Sequence, residues 1–242
     1  MPHGTPDWGL VGPISILYGL DDLGEQAVRM GAVSSWDRIG HVVFSDNFRE
    51  GVGAWHSVVS SADGVVGLFT GDTVSPPFCV RMVNGSGGAF YARMEHYLGY
   101  AYRGQVGIEF SVAYGTDIEY IKFGIASSLA TGRQFFYIRF EPATGDLDYG
   151  TDAVGWTNFA NVGVLGGNIE EWRTFKLVVD FITGFFVRVV FLGVAYDMSA
   201  IAASAAAAIA RRYWWVYIEN DSTDATQYEM RVDDVIVTID QP

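Results

Sequence analysis

"WRTFKLVVDFITGFFVRVVFLGVAYDMS", Trp172 to Ser199, decides the fold class. Apolar residues dominate both sides of Ile182-Thr183-Gly184, and charged residues interrupt them at strand spacing. That is the pattern of two strands joined by a tight turn. Phe175, Leu177, Val179 and Phe181 fall on one face of the first strand. Phe185, Val187, Val189 and Phe191 are expected to do the same on the second. Lys176, Asp180 and Arg188 take the other faces. The hairpin is expected to supply core and no active site.

Outward from this hairpin, nearly everything after His41 reads as strand. "GQVGIEFSVAY" sets Val106, Ile108, Phe110 and Val112 on one face and Gln105, Glu109 and Ser111 on the other, a half-buried strand. "EPATGDLDYG" is a hairpin turn with Thr144-Gly145 at its tip. "RYWWVYIEN" and "MRVDDVIVTID" complete the chain. Turn signals recur about every ten residues, as in a sandwich or jelly roll. The alanine-rich stretch from Ser199 to Arg212 is expected to form a short helix, capped by Ser199 and closed by Arg211 and Arg212. A coil is the alternative there.

Residues 1–40 differ from the rest and divide off as an arm before a sandwich of residues 41–242. Pro2, Pro6 and Pro13 among glycines predict an extended start. Leu20 to Gly31 predicts one short helix, with Asp22 as its cap. Trp8, Leu10, Val11, Ile14, Ile16, Leu17, Tyr18 and Trp36 make the arm apolar, so it must pack on the domain or on a neighbouring chain. Strand addition or arm exchange between copies would hold it.

The 242 residues suit one large all-β domain or two small ones. A net charge of −13 and the lack of a basic stripe exclude a nucleic-acid partner and argue against an anionic membrane surface. The single cysteine, Cys79, rules out an intramolecular disulfide and reads as a buried thiol. The first residues carry no basic and then apolar leader, so synthesis in the cytoplasm without a signal peptide is expected. No apolar run reaches the roughly 18 residues of a membrane span. Asn84 and Asn220 match the N-glycosylation pattern.

Four segments in order carry a resemblance: "FSDNFREGVGAWHS", "YIRFEPATGDLDYG", the hairpin above with its leucine-glycine turn, and "MRVDDVIVTI". Together they resemble the concanavalin A-like, laminin-G-like jelly roll from about Phe44 to Ile239. The resemblance implies an all-β, two-sheet antiparallel sandwich, here with an N-terminal extended arm and one or two short helices. The family serves lectins, polysaccharide hydrolases and non-catalytic modules, so fold alone does not assign an activity. It also implies a place for a structural calcium where first and last strands meet. Asp46-Asn47 and Asp233-Asp234 lie on those strands, with Asp46 and Asp234 as the candidate ligands.

Candidate chemistry divides the readings. Jelly-roll glucanases carry Glu-x-Asp-x-x-Glu on one strand, and that spacing is absent; the stretches weighed are Glu109 with Asp117 and Glu119, and Glu170-Glu171. No Gly-x-Ser-x-Gly elbow occurs, and His3, His41, His56 and His96 are scattered. No catalytic role is therefore expected. Sugar binding would use exposed aromatics beside amides: Trp156 in a loop with Asn158 and Asn161, or a patch of Tyr97, Tyr100 and Tyr102. Trp55, Trp172, Trp214 and Trp215 are expected in the core or between the sheets. The arm favours a self-assembling structural protein, such as a phage-type capsid or decoration component at a particle surface. Its partners would be copies of itself or a neighbouring shell protein, and the layout resembles phage-type particle proteins. The alternative is a lectin-like module that binds glycans.

Overall fold

The computed structural model describes residues 41–99, 102–115, 117–129, 132–151, 155–207 and 212–240. The arm of residues 1–40, with its expected helix and its apolar residues, lies outside them. Strands are the only regular secondary structure among the described residues. The strands are β1 (His41–Asp46), β2 (His56–Val59), β3 (Val65–Phe69), β4 (Cys79–Val83), β5 (Tyr91–Leu98), β6 (Gln105–Tyr114), β7 (Tyr120–Leu129) and β8 (Gly132–Glu141). There follow β9 (Asp146–Thr151), β10 (Gly155–Asn161), β11 (Asn168–Asp180), β12 (Phe185–Phe191), β13 (Val194–Asp197), β14 (Ser204–Ala206), β15 (Tyr213–Asp221) and β16 (Glu229–Ile239).

They form two antiparallel sheets. Sheet A runs β13-β12-β11-β6-β16-β4-β3, with β1 also on β16; sheet B runs β10-β9-β8-β7-β15-β5-β2, with β14 also on β8. The core lies between the sheets. Phe110, Phe123, Phe140, Phe175 and Phe191 meet there, with Phe175 and Phe191 stacked at 4.2 Å between centroids and Phe123 and Phe175 at 4.9 Å. Cys79 is buried, and burial pushes its thiol up to about 12. Asn84 and Asn220 are buried as well: Asn84 donates to Ser222 Oγ at 2.7 Å and Asn220 to the Tyr228 carbonyl at 2.8 Å. Both match the glycosylation pattern but serve as internal hydrogen-bonding groups.

Three expectations change. β11 and β12 pair as expected, but their register shifts between Val178 and Val179, so Val178 faces Arg188 while Val179 faces Phe186. Val187 has no partner in the ladder, and this bulge reverses the phase of the strand below it. Phe186, Val189 and Phe191 are buried, while Phe185 is 38% exposed. β6 is buried on both faces rather than one: Glu109 and Ser111 lie under cover, and Glu109 sits directly opposite Lys176, at 3.8 Å. Finally, no helix occurs among the described residues of the alanine-rich stretch. Ser204–Ala206 pairs with Arg133–Phe135 of β8, which β9 leaves open because it pairs only with Ile138–Glu141. Open backbone groups at that edge outweigh alanine's helix preference.

Candidate functional site

β15 runs through the middle of sheet B, between β7 and β5. Its residues alternate. Trp214, Val216 and Ile218 are in the core, so Tyr213, Trp215, Tyr217, Glu219 and Asp221 project from the face turned away from sheet A. Neighbouring strands contribute in register. One row across the sheet reads Arg93, Glu219, Lys122, Arg139, Asp148 and Asn158, on β5, β15, β7, β8, β9 and β10. The next reads Glu95, Tyr217, Gly124 and Tyr137, and the next Tyr97, Trp215, Ala126 and Phe135.

The small residues in these rows make the hollow. A Cβ on Gly124 would stand 2.7 Å from Cε1 of Tyr217, so the tyrosine ring lies over bare backbone. The result is a cavity of about 380 Å³ lined by Arg93, Glu95, Lys122, Tyr137, Trp156, Trp215, Tyr217 and Glu219. Aromatic rings wall it. Tyr137 and Tyr217 meet edge-to-face at 5.4 Å, and Tyr97 stacks on Trp215 at 6.1 Å with Tyr213 alongside. Trp156 carries the Arg139 guanidinium at 4.8 Å and the Lys122 ammonium at 5.5 Å over its ring.

Charges alternate along the floor. Arg93 Nη1 is 3.4 Å from Glu219, and its Nε is 3.0 Å from Glu95 although that N–H does not point along the line. Lys122 lies 3.7 Å from Glu219 and is also paired with Asp221. Arg139 Nε donates to Asp148 at 3.0 Å, and Asn158 donates to the other Asp148 oxygen at 3.2 Å. Tyr97 donates to Glu95 at 2.5 Å. Burial raises the Glu219 carboxyl to about 7, against the opposing pull of Lys122 and Arg93 and with help from Asp221 and Glu95. Burial also lifts the phenols: Tyr97 and Tyr137 to about 12, and Tyr217 well above its ordinary value. All three therefore keep their O–H groups near neutrality. Aromatic walls with fixed hydroxyl, carboxylate and cationic groups suit a polar ligand with apolar ring faces.

Trp156 and Asn158 are both on this face, but on strand β10 rather than in a loop. Tyr97 is there too, 48% exposed. The tyrosine patch does not form as expected. Tyr102 packs against the core and donates to Asp240, and Tyr100 lies outside the described residues. Trp55 and Trp214 are core residues as expected, whereas Trp215 is on the groove. Glu109 is on sheet A, Glu119 accepts from Thr223, and Glu170 and Glu171 are exposed at the start of β11. Arg93, Glu95, Lys122, Tyr137, Tyr217 and Glu219 went unnoticed in the sequence. The signal was present in "YWWVYIEND", where every second residue is aromatic or acidic, a face with no use in a core.

The meeting of β1 and β16 forms a second corner, with Asp46 opposite Val235. Asp46 accepts from the Phe48 N–H at 2.7 Å and the Trp55 indole N–H at 2.9 Å. Asp233 accepts from the N–H groups of Val74, Ser75 and Asp234, each at 2.9 Å. A bulge against β6 follows, and Asp234 has φ of 48°. Its carboxylate is 1% exposed, and no hydrogen bond of full geometry reaches either oxygen, although the Ser75 hydroxyl lies beside it. Burial, eased by Ser75 and reinforced by Asp233, raises it to about 7. An orphaned buried carboxylate is what a cation would satisfy. Asp234 would be its ligand, whereas Asp46, the other residue expected there, already gives both oxygens to the Phe48 and Trp55 N–H groups. No group of three metal-ligating side chains occurs among the described residues.

No family model matches the chain, and no curated protein matches it. Solved structures do. One is a conserved carbohydrate esterase, vb_24B_21, from the Shiga toxin-encoding bacteriophage phi24B. It superposes with a TM-score of 0.56 at 14% identity, over 83% of this chain and 99% of that one. Another is the cellulose-induced protein Cip1, with a TM-score of 0.51 at 15% identity, over 81% of this chain and 96% of that one. At such identities the likeness concerns architecture, and it agrees with the strand order above: the chain folds as an antiparallel two-sheet jelly-roll sandwich.

Proposed function

We propose that the outer face of sheet B is a carbohydrate-binding groove and that the protein is a non-catalytic, lectin-like module. The observation that carries this reading is the 380 Å³ cavity, in which Trp156, Trp215, Tyr137 and Tyr217 stand around hydrogen-bonding groups fixed by the sheet's register. Sugar rings stack apolar faces on aromatics and give hydroxyls to carboxylates and amides. The description of the phi24B protein as a carbohydrate esterase names the same ligand class. Catalysis is not part of the proposal because the Glu-x-Asp-x-x-Glu spacing of jelly-roll glucanases is absent from the sequence. Affinity electrophoresis on soluble polysaccharides tests the reading. Retardation by at least one polymer is expected, weakened about tenfold by Trp215→Ala or Trp156→Ala. An unretarded wild-type chain would sink it.

A second reading keeps the arm as an assembly device in a virion or similar particle, supported by the apolar residues between Trp8 and Trp36. Light scattering on the full chain and on one beginning at His41 tests it: an oligomer that becomes a monomer supports it, and two monomers remove it. Calcium at Asp234 is proposed as a structural ion, independent of either reading.

A further inference from the structure

The cations of the groove are already matched by the groove's own carboxylates. Arg93 lies between Glu95 at 3.0 Å and Glu219 at 3.4 Å. Lys122 lies between Glu219 at 3.7 Å and Asp221. Arg139, flanking the cavity, is held by Asp148 and covered by Trp156 and Tyr120. Arg133, farther along β8 and outside the cavity lining, donates to the Ala207 carbonyl and stacks over Phe135. An anionic group entering the cavity would find no cation to itself. It would have to break a half-buried pair and strand one carboxylate, which is costly. It would also approach a chain of net charge −13. A cationic group, though drawn by the net charge, would find Glu95 and Glu219 both engaged and would have to displace Arg93 or Lys122.

Resting on the carbohydrate reading above, we infer that the groove selects uncharged glycans and rejects those bearing uronate, sialate or sulfate groups, because Arg93 and Lys122 are neutralised internally by Glu95, Glu219 and Asp221. The same pairs orient their polar groups for sugar hydroxyls. Glu219, shared by both cations, is the residue that sets this selectivity.

The test uses the full chain at low salt and near pH 8, where Glu219 is ionised. The probes are a neutral β-glucan, a neutral galactomannan, polygalacturonate and chitosan quaternised to its trimethylammonium form, which stays charged and soluble at this pH. At least one neutral polymer is expected to bind roughly thirtyfold more tightly than polygalacturonate or chitosan. Polygalacturonate or chitosan binding as tightly as any neutral polymer, and lost in Trp215→Ala, overturns the selectivity and leaves the carbohydrate reading standing. Binding to none of the four overturns both. Glu219→Gln removes the carboxylate that both cations share and leaves Arg93 with Glu95 alone and Lys122 with Asp221 alone, so this variant is expected to gain about threefold in polygalacturonate affinity. A Glu219→Gln chain with native melting behaviour and no such gain also overturns the inference, and the wild-type comparison decides it if the variant does not fold.

Discussion

Glu219 shows how one side chain ties stability to the site. Its carboxyl is raised from 4.5 to about 7, chiefly by burial between Arg93, Lys122 and Tyr217. The folded chain therefore binds this proton more tightly than the unfolded chain does. Its contribution favours the native state at low pH and is lost as pH rises from 4.5 through about 7. Thermal melts across that window are expected to show a component falling with pH, and Glu219→Gln should flatten it. An unchanged slope in the variant would assign the pH dependence elsewhere. The aromatic positions follow simpler logic. Trp214 and Trp215 are neighbours in sequence with opposite fates, one in the core and one on the groove, because a strand turns successive side chains to opposite faces.

Among the elements, β7 carries the groove's floor. Gly124 is fully enclosed: an added Cβ would stand 2.3 Å from the Phe136 carbonyl oxygen and 2.7 Å from the Tyr217 ring. The carbonyl belongs to the adjacent strand's backbone and cannot rotate away. Gly124→Ala is expected to cost about 1–3 kcal/mol in denaturant unfolding and to weaken glycan retention by displacing Tyr217. Gly150 offers a control, since its added Cβ would come no closer than 3.1 Å, to the Tyr137 Cβ. Gly150→Ala should therefore be the milder change, and the opposite order would show that the floor is not set at Gly124. β12 and β14 show why element type and element phase are separate questions. Strand character in β12 follows from composition, but the bulge opposite Val178 and Val179 decides which phenylalanine enters the core. β14 is a strand because β8 has an open edge there, despite a sequence that favours helix.

In the whole molecule, the closing strand β16 binds the two ends of the described chain: it pairs with β1, β4 and β6. The orphaned Asp234 lies at that junction, beside the strand that carries Asp46. If calcium fills the corner, millimolar calcium is expected to raise the melting temperature by several degrees and EDTA to reverse it. Asp234→Asn should abolish the response. A calcium-insensitive wild type would remove the proposed ion. The Asp234 corner and the groove lie on different sheets of the sandwich, so the calcium response and glycan retention are expected to be lost in different variants.

By itself the sequence determined the strand-rich character of the chain, the hairpins at Thr144-Gly145 and Thr183-Gly184 and the buried thiol. These follow from local alternation and turn chemistry, which short stretches encode, whereas the two-sheet architecture and the approach of the first strand to the last came only with the resemblance to the jelly roll. It also marked Trp156, Asn158 and Tyr97 as surface candidates. Only the tertiary structure decided the groove, because Glu95, Lys122, Tyr137, Trp156 and Glu219 come from five strands scattered along the chain. Their assembly depends on strand order and cross-strand register, and these are set by the packing of two whole sheets rather than by any one segment.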